Sequence, residues 1–159
     1  MKPVLLIIDV QSTFNPPNWL IQKLEKLLPS VHSIATIELH DESIVPFKSQ
    51  LNWAPSEFDE CPLKVEKVFI KYGYSPTDDL IQYFKGLDTQ QVYVCGIQTD
   101  TCVLAAGFRL FDAGLFPCLV TDLTVGSSLD RSGNLGIQLW KHHFRSITTS
   151  ENLSSNTMI

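Results

Sequence analysis

Cys102, Lys71 and Asp9 are of types that together could do nucleophilic chemistry, and each stands at or just past the end of an apolar run. A thiol is a strong nucleophile once it loses its proton, a lysine cation beside it favours the thiolate, and a carboxyl can carry the proton. Cys102 lies in the stretch QVYVCGIQTDTCVLAAGFRL, from Gln91 to Leu110. Val92 to Cys95 suits a strand buried on both faces, and Gly96 stops it. Thr99 and Asp100 are capping types, and Val103, Leu104, Gly107, Phe108 and Leu110 recur at helical spacing. The spacing therefore predicts strand, turn and helix within a few residues, with Cys102 in the first helical turn. Free N–H groups and the positive end of the helix dipole there favour a thiolate. A buried packing role is the competing reading for any lone cysteine.

The rest of the chain must bring these three residues together. Val4 to Val10 is a continuous apolar run closing on Asp9, as a central parallel strand does at the carboxyl edge of its sheet. Trp19, Leu20, Leu24, Leu27 and Leu28 trace a helix ended by Pro29. Ser33 to Leu39 reads as a second strand, with His40-Asp41-Glu42 at its end. The segment from Asp41 to Pro62 shows no sustained period, and a loop of this length holds function or an irregular lid. Val65 to Lys71 is a third strand, and Thr77-Asp78-Asp79 starts a helix through Phe84. The helix after Cys102 stops at Gly114. Pro117 to Thr121 is a fifth strand, followed by Asp122 and a polar loop through Ser127-Ser128. Residues Asp130 to His143 form a helix weakened by Gly133 and Gly136 with Leu135, Leu139 and Trp140 on its face. Arg145 to Thr149 is a sixth strand, and the chain from Glu151 a frayed tail. Alternation of this kind predicts an α/β fold: a doubly wound, mostly parallel six-stranded sheet with helices on both faces, a Rossmann-like three-layer arrangement in one domain over residues 1–159. In such a sheet, Asp9, Lys71 and Cys102 converge on one crevice at the carboxyl edge.

Composition narrows the class of function. The 159 residues are 44% hydrophobic with a formal net charge of −5, enough for a core and without a basic run to meet nucleic acid or an acidic membrane. A small-molecule substrate or a protein partner is expected instead. The apolar start is too short to span a membrane, and Asp9 interrupts it before any cleavage site, so a soluble, cytoplasmic protein is expected. The four cysteines lack zinc-type spacing, and no disulfide is expected.

The sequence resembles the isochorismatase-like cysteine hydrolases, which include nicotinamidases, N-carbamoylsarcosine amidase and ureidoacrylate amidohydrolases. The resemblance rests on LLIIDVQSTF from Leu5 to Phe14, Lys71 with Ser75 four residues on, GIQTDTCV from Gly96 to Val103, and VTDLTVGSS from Val120 to Ser128. It implies Asp9, Lys71 and Cys102 as a catalytic triad, and a cis peptide before Gln98. It also implies an oxyanion hole of the Gln98 and Cys102 backbone N–H groups, and a homo-oligomer. The implied activity is hydrolysis of a small carboxamide or ureido substrate through a thioester. A vinyl-ether hydrolase and a non-catalytic binding member are the alternatives. Nicotinamidases hold a divalent metal with an Asp-x-His motif, whereas this chain offers His40-Asp41 in the reverse order, so neither metal nor other cofactor is expected. Phe14, Trp53, Tyr72 and Tyr74 are candidates to line the substrate pocket. His32, His142 and His143 are read as surface residues.

Overall fold

The computed structural model describes residues 1–154. Six strands form one parallel sheet: β1 (Val4–Ile8), β2 (His32–Glu38), β3 (Lys67–Lys71), β4 (Gln91–Ile97), β5 (Phe116–Val125) and β6 (Ile147–Thr148). Their order is β3-β2-β1-β4-β5-β6, all neighbours parallel, so the chain winds outward in both directions from the boundary between β1 and β4. That boundary is the topological switch point, where loops leave in opposite directions and a crevice opens at the carboxyl edge.

Side chains alternate across a strand, and the core divides accordingly. Val4, Leu6 and Ile8 pack into a cluster with Leu80 and Phe84 of α3 (Asp78–Lys85), Val103 and Leu110 of α4 (Cys102–Asp112) and Trp140 of α5 (Asn134–Phe144). Leu5 and Ile7 face the other way, onto Leu20, Leu24 and Leu27 of α1 (Asn18–Leu27) and Leu153 of α6 (Ser150–Ser154). A strand buried on both faces has no polar alternation to show, which is why β1 reads as an unbroken apolar run.

Several local expectations are corrected. Strand β5 runs on to Val125 and takes in Asp122-Leu123-Thr124, because β5 bulges after Leu119, opposite the step from Val94 to Gly96, and pairs with β4 again at Thr124 and Val125. Strand β6 has two residues rather than five, and β3 begins at Lys67 rather than Val65. The long lid segment holds a short helix, α2 (Phe47–Leu51), with Phe47 buried. Helix α5 starts only after Gly133, whose φ of 85° lies in the left-handed region, and Leu135 is partly exposed instead of buried. Gly136 is a contact point, not a weakness: a Cβ there would stand 2.6 Å from Thr99, so its absence lets α5 pack onto the loop before Cys102. The tail from Glu151 is helical to Ser154 and anchored by Leu153, and its remainder, 155–159, lies outside the described residues.

Candidate active site

Asp9 follows β1 directly and adopts φ 53°, in the left-handed region that Asp tolerates better than most residues. Its N–H lies 3.2 Å from both the carbonyl oxygen and the hydroxyl of Thr36, and the same hydroxyl donates to Asp9 Oδ1 at 2.7 Å. The carboxyl is thereby turned inward, fully buried, with Oδ2 at 2.8 Å from Lys71 Nζ. Lys71 ends β3 with its side chain 1% exposed, and its ammonium also donates to the Gly73 carbonyl at 2.7 Å. Burial alone would push this ammonium down, but Asp9, Cys102 and Glu38 outweigh it and hold its pKa above the ordinary lysine value.

Cys102 is the first residue of α4 and is 5% exposed. The turn that delivers it is built by backbone and hydroxyls. Gly96, at φ 115°, passes so close to β1 that a Cβ would lie 2.2 Å from the Ile8 carbonyl oxygen. The Ile97–Gln98 peptide is cis. The Gln98 carbonyl accepts from the N–H groups of Thr101 and Val103. Thr99 and Asp100 do not cap the helix as expected: the N-cap is Thr101, without a side-chain bond. Thr99 is buried, hydroxyl to hydroxyl with Thr124 at 2.6 Å, and Asp100 accepts from the Ser127 N–H and hydroxyl. Both tie the loop before Cys102 to the end of β5 and the loop that follows.

Glu38, at the end of β2, is a member of this site that the sequence reading missed. Parallel pairing sets Glu38 beside Lys71 in register, and it is 1% exposed. Its Oε2 lies 3.4 Å from Lys71 Nζ and accepts the Cys102 thiol hydrogen bond at 3.4 Å. Burial raises its pKa to about 7, Lys71 opposing and Asp9 reinforcing the shift. A charged residue within the apolar run SIATIEL was the available signal, since an unpaired buried charge is costly.

The electrostatics correct one expectation. Burial, with Asp9 and Glu38 close by, pushes the Cys102 thiol well above its ordinary pKa, and Lys71, pulling it down, does not prevail. Cys102 rests as a thiol hydrogen-bonded to a carboxyl, so a thiolate there has to be generated by proton transfer rather than standing ready.

Asp9, Glu38 and Cys102 each offer a ligand atom, all within 4.8 Å of one another. The Lys71 ammonium, however, already supplies the cation that two such carboxylates need. An acidic residue does stand two positions before His40, but Glu38 Oε2 serves Lys71 and Cys102, while His40 Nε2 lies 3.1 Å from Glu42. A resident metal would have to compete with the Lys71 ammonium for these carboxylates. Any hydrolytic activity is accordingly expected to survive extended dialysis against EDTA; a loss that zinc, iron or manganese restores would contradict this.

Three of the four proposed pocket aromatics gather around Phe47, a residue the sequence reading left in an irregular segment. Trp53 lies 6.0 Å and Tyr74 5.5 Å from Phe47 between ring centroids, and Phe14 is 6.2 Å from Trp53. A hollow of about 220 Å³ opens beside Phe47, Leu51 and Tyr74. Tyr72 stands apart, lining a second hollow with His40 and Phe58. The lid is pinned by Asp59, whose carboxylate accepts from Gln11, Ser12 and Thr13 just beyond Asp9. Of the histidines expected at the surface, His142 and His143 are exposed, whereas His32 is half-buried and bonded to the Tyr83 hydroxyl at 2.8 Å. Cys61, Cys95 and Cys118 are free, the latter two buried. No helix among the described residues is long and apolar enough to cross a membrane.

The arrangement is a doubly wound parallel α/β sheet with a thiol, an ammonium and carboxyls gathered at its switch point. Residues 49–152 match the family model of the isochorismatase domain, and the chain belongs to the isochorismatase family. A comparison with curated proteins found no match. Among solved structures, an isochorismatase-like hydrolase from Alkaliphilus metalliredigens superposes with a TM-score of 0.78 at 18% identity, over 96% of this chain and 97% of its own. A nicotinamidase/pyrazinamidase from Acinetobacter baumanii gives 0.74 at 19% identity, over 96% and 98%. N-carbamoylsarcosine amidase from Thermoplasma acidophilum gives 0.72 at 16% identity, over 95% and 98%. At such identities the likeness concerns the fold.

Proposed function

We propose that this protein is a cysteine-dependent amidohydrolase acting on a small carboxamide or ureido substrate through a thioester, with Asp9, Lys71 and Cys102 as its catalytic triad. The observation that carries the reading is the buried Asp9–Lys71 pair at 2.8 Å, set against a thiol on the first residue of a helix. Burying an ammonium and carboxylates costs several kcal/mol per ion before their attraction repays it, so such a cluster is an unfavourable way merely to fill a core. Cys102 attacks the carbonyl carbon, and the backbone N–H groups of Gln98 and Cys102 hold the developing oxyanion. The carboxyl side of the cluster takes up the thiol proton and returns it to the departing amine, and water then hydrolyses the thioester. Phe14, Trp53 and Tyr74, with Phe47, are suited to hold a planar or apolar substituent.

The resemblance to nicotinamidases and N-carbamoylsarcosine amidase supports an amide over a vinyl ether, whose hydrolysis requires no thiol nucleophile. The test is ammonia release from a panel of small aliphatic, aromatic and ureido amides. Turnover of at least one class is expected. No release from any, with Cys102 unmodified by amide-derived acyl groups, would leave a binding role instead.

A further inference from the structure

Resting on that reading, we propose that Glu38 is a further catalytic residue: it is the immediate acceptor of the Cys102 thiol proton, and forms with Asp9 a carboxyl pair that carries this proton to the leaving amine. The thiol's hydrogen bond runs to Glu38 Oε2 at 3.4 Å. Asp9 also reaches the thiol, but its Oδ1 accepts from Thr36 and its Oδ2 faces the Lys71 ammonium. Among the described residues, buried Glu38 Oε1 and Asp9 Oδ2 lack a hydrogen-bond donor, so the carboxyl pair retains capacity for a proton.

The groups facing Glu38 come from four places: Asp9 beyond β1, Lys71 on β3, Tyr74 in the loop after it, and Cys102 on α4. Lys71 supports the ionised form of Glu38, and burial and Asp9 oppose it, which sets its pKa at about 7. A carboxyl so tuned both accepts and releases a proton near neutral pH, whereas an ordinary one would be too weak a base. Two carboxyls held in different surroundings take different parts.

The S–C bond forms, the carbonyl π pair moves onto oxygen, and the thiol proton passes to Glu38. When the C–N bond breaks, the oxygen pair restores the carbonyl and the nitrogen leaves with its bonding pair, taking the proton held by the Glu38–Asp9 pair. Both carboxyls end ionised, and the sulfur is acylated. In deacylation, water gives its proton to the pair and its oxygen to the carbonyl carbon, and the departing sulfur regains a proton.

The experiment measures two rates in wild type, Glu38→Gln and Glu38→Asp. One is single-turnover acylation by the best amide; the other is iodoacetamide alkylation of Cys102 across pH, read by peptide mass spectrometry. Glu38→Gln is expected to slow acylation by about 10²-fold or more, the usual scale for a lost proton acceptor. Alkylation should respond in the opposite sense, its midpoint moving to lower pH, because a negative neighbour and an acceptor for the thiol proton are both removed. A purely structural glutamate would not produce this opposition. Glu38→Asp, which keeps the charge but withdraws the oxygen from Sγ, should fall between the two, and it decides the matter by the same readouts if Glu38→Gln does not fold. Acylation within about twofold of wild type, or an alkylation midpoint that does not move, overturns the proposal. If wild type acylates with no amide, the amidohydrolase reading falls separately, and the alkylation profile alone decides whether Glu38 holds the thiol proton.

Discussion

Cys102→Ala is expected to reduce amide turnover by on the order of 10⁴-fold or more while leaving the fold in place, as removal of a covalent nucleophile does elsewhere. The thiol is a small buried group hydrogen-bonded to Glu38, so its removal opens a minor cavity and costs about 1 kcal/mol. Loss of activity without loss of structure is therefore the signature to seek, with far-UV circular dichroism alongside ammonia release. In the wild type, brief treatment with an aldehyde analogue of a good substrate should place the adduct on Cys102 and abolish turnover in proportion. Cys95 lies in the centre of the sheet, fully buried, with its thiol pushed far up by burial and by Asp122. Cys118 and Cys61 are raised as well, chiefly by burial, and neither has a lysine beside it to draw the proton off. An adduct on another cysteine, or wild-type hydrolysis by Cys102→Ala, would remove the nucleophile from Cys102.

Lys71→Met should be the most destabilising conservative change in the site. The ammonium is the cation for two carboxyls, at 2.8 Å from Asp9 and 3.4 Å from Glu38, all three side chains being 2% exposed or less. Removing one partner of a buried ionic set typically costs 3–5 kcal/mol, because the uncompensated charge stays behind. The sign of the pH dependence follows from Glu38, whose pKa in the folded chain is already raised from 4.5 to about 7. A carboxyl raised on folding contributes stability that is full below its unfolded pKa and is lost as pH rises through the folded one. Without Lys71 the folded value climbs further, so the variant should fall behind wild type more at pH 8 than at pH 5. Urea denaturation at those two pH values checks this, and an equal deficit at both would show that packing, not charge, dominates. The same substitution should move Cys102 alkylation to higher pH, since Lys71 is the group that pulls the thiol down.

Part of this protein is written in its sequence alone. The parallel sheet was legible because its central strands are buried on both faces, and only an unbroken apolar run such as Val4 to Ile8 satisfies that. Asp9 and Lys71 stood out as charges at the ends of such runs, and Cys102 as a thiol just past a glycine turn, since each residue type is costly or unusual where it stands. The extent of β5 was not legible, because it depends on the bulge that lets β4 pair again with Thr124 and Val125. Nor was the seat of Leu153, which is fixed by what α1 and β5 leave uncovered. Glu38 is the clearest case. Its type and position were visible, but its meaning depends on register, which sets it beside Lys71, and on a helix from another part of the chain that brings a thiol to the same oxygen. The protonation of Cys102 was decided at the same level. The helix start favours a thiolate by local geometry, but burial among two carboxyls reverses the balance, and burial belongs to the whole fold rather than to any segment.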